Sequence, residues 1–228
     1  ACSLGGMLSP GLAFADRTFD AILFDMDGTL ISSIEAVDRS WALWAREHGF
    51  GEDFRIAHGT PARSLVERLV APEQVEAALA RVTEIELSDT DGVRVLPGAA
   101  ELLASLPRDR HAIVTSCTRD LAAVRIAATG IGAPEVVVTA DDITRGKPDP
   151  EPFRRGAELL GFAPERCLVV EDAPAGLASG RAAGCATLAV AGTHTIDELD
   201  ADAHASGVDA VAVQVNADGT LTLVDRTP

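Results

Sequence analysis

Short apolar runs alternate with stretches of helical spacing along most of the chain. Five runs, Ala21–Asp25, His111–Thr115, Val136–Thr139, Cys167–Glu171 and Ala186–Val190, are bounded by polar, Gly or Pro residues. Such runs predict short strands buried on both faces. Between them, Gly98–Ser105, Asp120–Thr129, Glu151–Leu160 and Ala175–Ala183 carry helical patterns. Pro97, Pro150 and Pro174 stand near three of the helix starts, where a missing N–H costs little. Strand–helix alternation of this kind predicts an α/β fold: a doubly wound parallel sheet with helices on both faces.

The alternation breaks between Ser33 and Leu96, where no strand pattern stands out. Amphipathic helices are expected instead at Glu35–His48, Arg63–Val70 and Pro72–Ser88. The division this implies is an α/β core of residues 18–33 and 96–228 with a small inserted α-helical cap domain, residues 34–95. The chain crosses between the two parts twice, which lets the cap move against the sheet. Residues 1–17 read as an N-terminal extension, with Met7 as a start and the residues before it as an added remnant. Val211–Val224 alternates around Asp218–Gly219, a hairpin signal expected to extend a sheet edge.

Composition narrows the function classes. The 228 residues carry 35 acidic and 19 basic side chains, a formal net charge of −16. Nucleic-acid and anionic-membrane partners are disfavoured by that balance. No apolar run is long enough to span a membrane, and the first residues lack a secretory pattern. A cytoplasmic location is expected. The cysteines, at 2, 117, 167 and 185, show no C-x-x-C or zinc spacing and read as reduced thiols.

The first strand runs into F-D-M-D-G-T-L. Ligands of open parallel sheets bind beyond the carboxyl ends of strands, so Asp25 and Asp27 lie where chemistry is expected. Carboxylates two residues apart, on a turn tightened by Gly28, can share a hard cation or divide the roles of nucleophile and general acid/base. A solvated Asp-Gly turn is the bland alternative. A second strand ends in Glu171 and Asp172. Two strand ends that both deliver acids suggest one cation site, and Mg2+ fits carboxylate oxygens best. A third strand ends in Thr115 and Ser116, which with the following helix start can hold phosphate oxygens or serve as plain caps. Lys147 is the single lysine of the chain. It lies in a Gly/Pro-framed loop after the fourth strand, where a fixed cation offsets aspartates and a phosphoryl group.

Taken in order, D-M-D-G-T, V-T-S-C-T, R-G-K-P-D-P and V-V-E-D-A-P-A-G resemble the haloacid dehalogenase-like hydrolase superfamily, from Phe19 onward. The finer pattern is similar to its sugar-phosphate and glycerol-phosphate phosphatase branch, within the β-phosphoglucomutase-like subfamily. The resemblance implies a Rossmann-like core with a helical cap and a Mg2+-dependent phosphatase. Asp25 becomes the nucleophile of an aspartyl-phosphate mechanism, and Asp27 the acid and then the base. Asp25, Asp27 through its backbone carbonyl, Asp172 and Glu171, directly or through water, become the metal set. Thr115, Ser116 and Lys147 grip the phosphoryl group. In the cap segment A-H-G-T-P-A-R, Gly59 and Arg63 are candidates for specificity, with a plain surface arginine the equal alternative. Trp41 and Trp44 read as cap core. Cys117 departs from the pattern, because a glycine is frequent there.

The expected partner is a small phosphate ester, with the chain a monomer or dimer. Rival readings are a phosphomutase of the β-phosphoglucomutase kind and a non-catalytic binding protein. The intact carboxylates and lysine argue against the second, and the absence of a cap lysine argues against a phosphonate-cleaving relative.

Overall fold

The computed structural model describes residues 10–56 and 61–226. A six-stranded parallel sheet forms its centre. The strands are β1 (Ala21–Phe24), β4 (His111–Val114), β5 (Val136–Val138), β6 (Cys167–Glu171), β7 (Ala186–Val190) and β8 (Ala203–Ala205), in the order β5-β4-β1-β6-β7-β8. Between β1 and β4 lie two two-residue strands, β2 (Ile31–Ser32) and β3 (Arg94–Val95). From β1 the chain moves outward through β4 and β5, then returns to the other side of β1 to lay down β6, β7 and β8. The direction reverses between β1 and β6, the position where such sheets bind ligands.

β1 shows why the strands are apolar throughout. Ile22 and Phe24 face a cluster that includes Leu102, Leu103 and Ala122, from α5 (Ala99–Ser105) and α6 (Arg119–Thr129). Ala21 and Leu23 face the opposite cluster, with Phe153 and Ala157 of α7 (Glu151–Leu160) and Ala183 of α8 (Pro174–Ala183). Helices on both faces leave no solvated side for polar alternation. The doubly wound arrangement expected from the sequence is therefore observed.

After a short α1 (Pro10–Ala13) and after β1, the insertion holds α2 (Ile34–Glu47), α3 (Ala62–Leu69) and α4 (Val75–Ser88), each within a residue or two of its expected bounds except for a separate 3-10 turn at Pro72–Gln74. These helices share their own core, in which Trp44 is fully buried and donates from its indole N–H to the Ala78 carbonyl at 2.9 Å. The two crossings between helices and sheet pair as the antiparallel ribbon β2–β3, too short to leave a sequence pattern.

The C-terminal hairpin forms, but it does not extend the main sheet. β9 (Val211–Val215) and β10 (Leu221–Asp225) make a separate antiparallel ribbon, tied to Phe19 by a single bridge to Leu221. Its apolar alternation supplies the reason: Val211, Leu221 and Leu223 point into the α5 side of the core, so the ribbon covers a face instead of an edge. The edge strands are β5 and β8, and the Ala-His-Ala sequence of β8 has no strand signature. Phe14 joins the same core, edge-on to Phe19 at 5.3 Å. Cys117, Cys167 and Cys185 carry free thiols. Among the described residues no helix is long and apolar enough to cross a membrane.

Candidate active site

Asp25 extends β1 by one step. Its N–H donates to the Val170 carbonyl at 3.0 Å, continuing the register in which Phe24 faces Val170, so Asp25 stands level with Glu171. The chain then turns sharply, with the Gly28 N–H donating to the Ile31 carbonyl at 2.8 Å and Gly28 at φ +95°. A side chain at Gly28 would place its Cβ 2.1 Å from Asp172 Oδ2. Only glycine lets this turn lie against the acidic end of β6.

Lys147 closes the site from the loop that leads into α7. Its Nζ donates to Asp25 Oδ1 at 2.6 Å, to Glu171 Oε1 at 2.9 Å and to the Val114 carbonyl at 2.9 Å, using all three ammonium protons. Its Nζ also lies 5.0 Å from the centre of the Phe153 ring. Burial opposes the lysine charge, but Asp25 and Glu171 outweigh it and raise the ammonium pKa above its ordinary value. Burial also raises the pKa of the Asp25 carboxyl, to about 7, with Lys147 opposing and Glu171 adding to the rise. Among the described residues Asp25 Oδ2 accepts no hydrogen bond.

Glu171 and Asp172 are held by other means. Glu171 Oε2 accepts from the backbone N–H groups of Asp172, at 2.8 Å, and Ala173, at 2.7 Å. Gly176 on α8 packs so close that a Cβ there would lie 1.7 Å from Glu171 Oε1. Asp172 Oδ2 accepts from the Thr193 N–H at 2.7 Å and hydroxyl at 2.6 Å. Burial raises the pKa of both acids, that of Asp172 to about 6.

Asp25, Glu171 and Asp172 present oxygens within 4.8 Å of one another. Three buried carboxylates face one ammonium, which leaves two negative charges uncompensated. A divalent cation fits that deficit, and an all-oxygen donor set suits Mg2+. The remaining Asp172 oxygen and Asp25 Oδ2 are the atoms best placed to hold it, because both Glu171 oxygens already accept hydrogen bonds. Glu171 is thus a direct ligand only if Lys147 yields its Oε1.

Thr115 is buried at the end of β4, where its hydroxyl accepts from the Cys117 N–H at 3.1 Å, and Ser116 is exposed beside it. Both line a cavity of about 570 Å³ together with Asp25, Asp27, Lys147 and Asp172. The opposite wall comes from the inserted helices, with Val37, Trp41, Arg63, Leu79 and Glu86. Trp41 is buried in the helical cluster, its ring 5.3 Å from that of Trp44, and also lines the cavity. The Arg63 guanidinium lies at the rim, half exposed, and donates to Glu76 at 2.8 and 3.3 Å. Gly59 lies outside the described residues.

Sequence reading missed the surroundings of Asp27. Asp27 Oδ1 accepts from Ser33 Oγ at 2.6 Å and from the Arg125 guanidinium at 2.8 Å, and the Cys117 thiol donates to Oδ2 at 3.3 Å. Arg125 reaches onward to Glu86 at 3.6 Å. A signal was present: Leu121, Ala122 and Arg125 share one face of α6, which sets an arginine in an apolar stripe. Thr193, beyond the end of β7, follows the same strand-end logic that found the other groups.

A profile of the haloacid dehalogenase-like hydrolases matches residues 19–184, the stretch that carries Asp25, Asp27, Thr115, Lys147, Glu171 and Asp172. The chain belongs to the haloacid dehalogenase-like hydrolases. Hexitol phosphatase A of Escherichia coli (strain K12) is 43% identical to this hydrolase over 206 residues, 86% of this chain and 95% of that one. Glycerol-1-phosphate phosphohydrolase 1 of Saccharomyces cerevisiae is 34% identical over 195 residues, 79% of this chain and 78% of its own. A hydrolase from Pseudomonas syringae shares the fold, with a TM-score of 0.72 at 24% identity over 83% of this chain and 94% of that one. In this hydrolase the arrangement can hold a divalent cation, bring a carboxylate oxygen to an electrophile and surround an anion with Lys147 and the N–H groups before α6.

Proposed function

We propose that the chain is a Mg2+-dependent phosphatase of small sugar or polyol phosphates, acting through an aspartyl-phosphate. The observation that carries this reading is the convergence of Asp25, Asp172 and Lys147 in one cavity roofed by helices. The similarity to hexitol phosphatase A and to glycerol-1-phosphate phosphohydrolase 1 supports the substrate class.

In this reading the Asp25 carboxylate attacks phosphorus, the bond to the alcohol oxygen breaks, and Asp27 delivers a proton to that oxygen. Asp27 then takes a proton from water, whose oxygen displaces Asp25 from phosphorus and frees inorganic phosphate. Thr115, Ser116 and, once it gives up one of its three present acceptors, Lys147 hold the phosphoryl oxygens. Asp25, the Asp27 carbonyl and Asp172, with Glu171 behind them, would hold Mg2+, which when bound would neutralise the charge that otherwise keeps a carboxylate from an anionic ester.

Residues 34–95 act as a cap domain over a core of residues 18–33 and 96–228. The cap admits small esters and, with Arg63 and Gly59, selects among them. A cytoplasmic setting belongs to the same reading, which the free thiols support.

Phosphate release from a panel of hexitol, hexose and glycerol phosphates, with Mg2+ and with EDTA, tests the proposal. Metal-dependent release that disappears in Asp25→Asn is expected. A phosphomutase returns its phosphoryl group to sugar instead of water, so phosphomonoester isomerisation without phosphate release would replace this reading.

A further inference from the structure

The general acid of the proposed reaction is held by a buried arginine with no assigned role. We propose that Arg125 is a positioning residue that fixes the Asp27 carboxyl for proton transfer to the leaving alcohol and ties that geometry to the cap through Glu86. The inference rests on the phosphatase reading.

Arg125 is 5% exposed. A guanidinium is rarely sunk that deep without carboxylate partners, because losing its hydration is costly. Its partners lie on two parts of the chain. One guanidinium nitrogen donates to Asp27 Oδ1 at 2.8 Å and to Cys117 Sγ at 3.2 Å; the other lies 3.6 Å from Glu86 Oε1. Glu86 is itself buried on α4 and lines the cavity. The Ser33 hydroxyl, directly before the first inserted helix, donates to the same Asp27 oxygen at 2.6 Å.

Asp27 is thus gripped from α6, from the junction at Ser33 and from the Thr115–Cys117 loop. Two donors on Oδ1 leave its carboxyl little freedom to rotate, and Oδ2, which meets only the weak Cys117 thiol, is the oxygen left to carry the proton it delivers. One cation also spans a catalytic carboxyl of the core and a carboxylate of the inserted helices. When the cap lifts, Glu86 leaves with α4, and the guanidinium faces Asp27 alone. The position of the proton donor therefore depends on the seating of the cap. A cap-to-core staple with no part in the reaction is the competing account, and the two differ in one measurable respect.

Proton delivery matters only when the leaving group is basic. An alkyl phosphate such as sorbitol 6-phosphate expels an alkoxide and needs the acid; p-nitrophenyl phosphate expels a stable phenolate and does not. Since kcat/KM reports the steps through departure of the alcohol, the ratio of kcat/KM for the two esters isolates the acid. In Arg125→Lys and Arg125→Met this ratio is expected to fall about tenfold or more, within the range of general acid catalysis. Glu86→Gln is expected to shift it in the same direction by less. A staple lowers both esters together by reducing the active fraction, so an unchanged ratio in Arg125→Lys and Arg125→Met overturns the inference. If Arg125→Met fails to fold, Arg125→Lys, which keeps a cation in the cluster, decides the outcome. Wild-type protein inactive on both esters and on the whole panel removes the phosphatase reading and this inference with it. Wild-type activity with an unchanged variant ratio removes the inference alone.

Discussion

Lys147 Nζ and Asp25 Oδ1 lie 2.6 Å apart in a site where both side chains are at most one-tenth exposed. Lys147 is also the only cation within reach of Glu171 among the described residues. Deleting one partner of a buried ion pair typically costs about 3–5 kcal/mol, because the remaining charge is left without compensation. In Lys147→Met two buried acids lose that partner. The variant is expected to unfold at a lower temperature than the parent near neutral pH, with part of the loss restored by Mg2+. Turnover is expected to fall about a hundredfold or more, the scale of a lost transition-state donor. Calorimetry with and without Mg2+, alongside steady-state kinetics, checks both; parental turnover in this variant would remove Lys147 from the phosphoryl site.

Metal binding and protonation compete for the same oxygens. The Asp25 pKa is raised to about 7 and that of Asp172 to about 6, in each case chiefly by burial, against about 3.9 for Asp in an unfolded chain. Between those limits the folded protein binds more protons than the unfolded one. The stability contributed by these groups is full below about pH 4 and is lost as pH rises toward about 7. Mg2+ requires the ionised carboxylates, so its binding releases protons. The apparent Kd for Mg2+ is expected to be about a hundredfold or more weaker near pH 5 than near pH 8, and Mg2+ should raise the melting temperature more at the higher pH. Melting curves over a Mg2+ titration at the two pH values measure this. Equal affinity at both would show that these carboxyls are not the ligands.

Gly28 gives the site a steric test separate from its charge. A Cβ at this position meets Asp172 Oδ2 at 2.1 Å, on a backbone with φ +95°. Gly28→Ala therefore pushes Asp172 away from Thr193 or opens the turn that carries Asp27. The expected result is Mg2+ affinity weakened by about tenfold or more, the scale seen when groups supporting metal ligands are removed, and a loss of stability of about 1 kcal/mol or more from the positive φ. Isothermal titration with Mg2+ and thermal unfolding report the two effects separately. Unchanged affinity would mean that Asp172 does not need its present position to bind the cation.

Much of this arrangement was legible in the sequence, and the physical reason is position. A parallel strand buried on both faces reads as a short apolar run, and whatever follows it is displayed at the ligand-binding end of the sheet. Asp25, Thr115 and Glu171 each follow or end such a run, so one rule located all three. The lone Lys147 was found by composition. Arg125 and Glu86 sit inside helices, where the rule has no force and only helical phase reveals a charge among apolar neighbours. The pairing of Arg125 with Asp27 spans 98 residues, a distance that local pattern does not encode. β2, β3 and β8 escaped for a different reason: two or three residues are too few to show alternation, and their pairing is imposed by the sheet and by the inserted helices. The hairpin was legible as a hairpin, but its docking on a face of the core depends on an apolar surface assembled from distant segments.

Cys117 offers the last test, because its sulfur lies against the Asp27 carboxyl. Its thiol donates to Asp27 Oδ2 at 3.3 Å and accepts from Arg125 at 3.2 Å. Burial and the Asp27 charge both raise the thiol pKa, which keeps it a proton donor. A neutral thiol is a weak donor, and Asp27 keeps the stronger hydrogen bonds from Ser33 and Arg125 when it is removed. Cys117→Gly is therefore expected to change kcat/KM for an alkyl phosphate by no more than about threefold, less than about 0.7 kcal/mol in transition-state energy. The cavity beside Asp27 should widen, so KM is the parameter more open to change than kcat. Steady-state kinetics on the preferred ester checks this. A many-fold gain in kcat would show that the sulfur crowds the phosphoryl site, and a many-fold loss would show that the thiol holds Asp27 in place alongside Arg125.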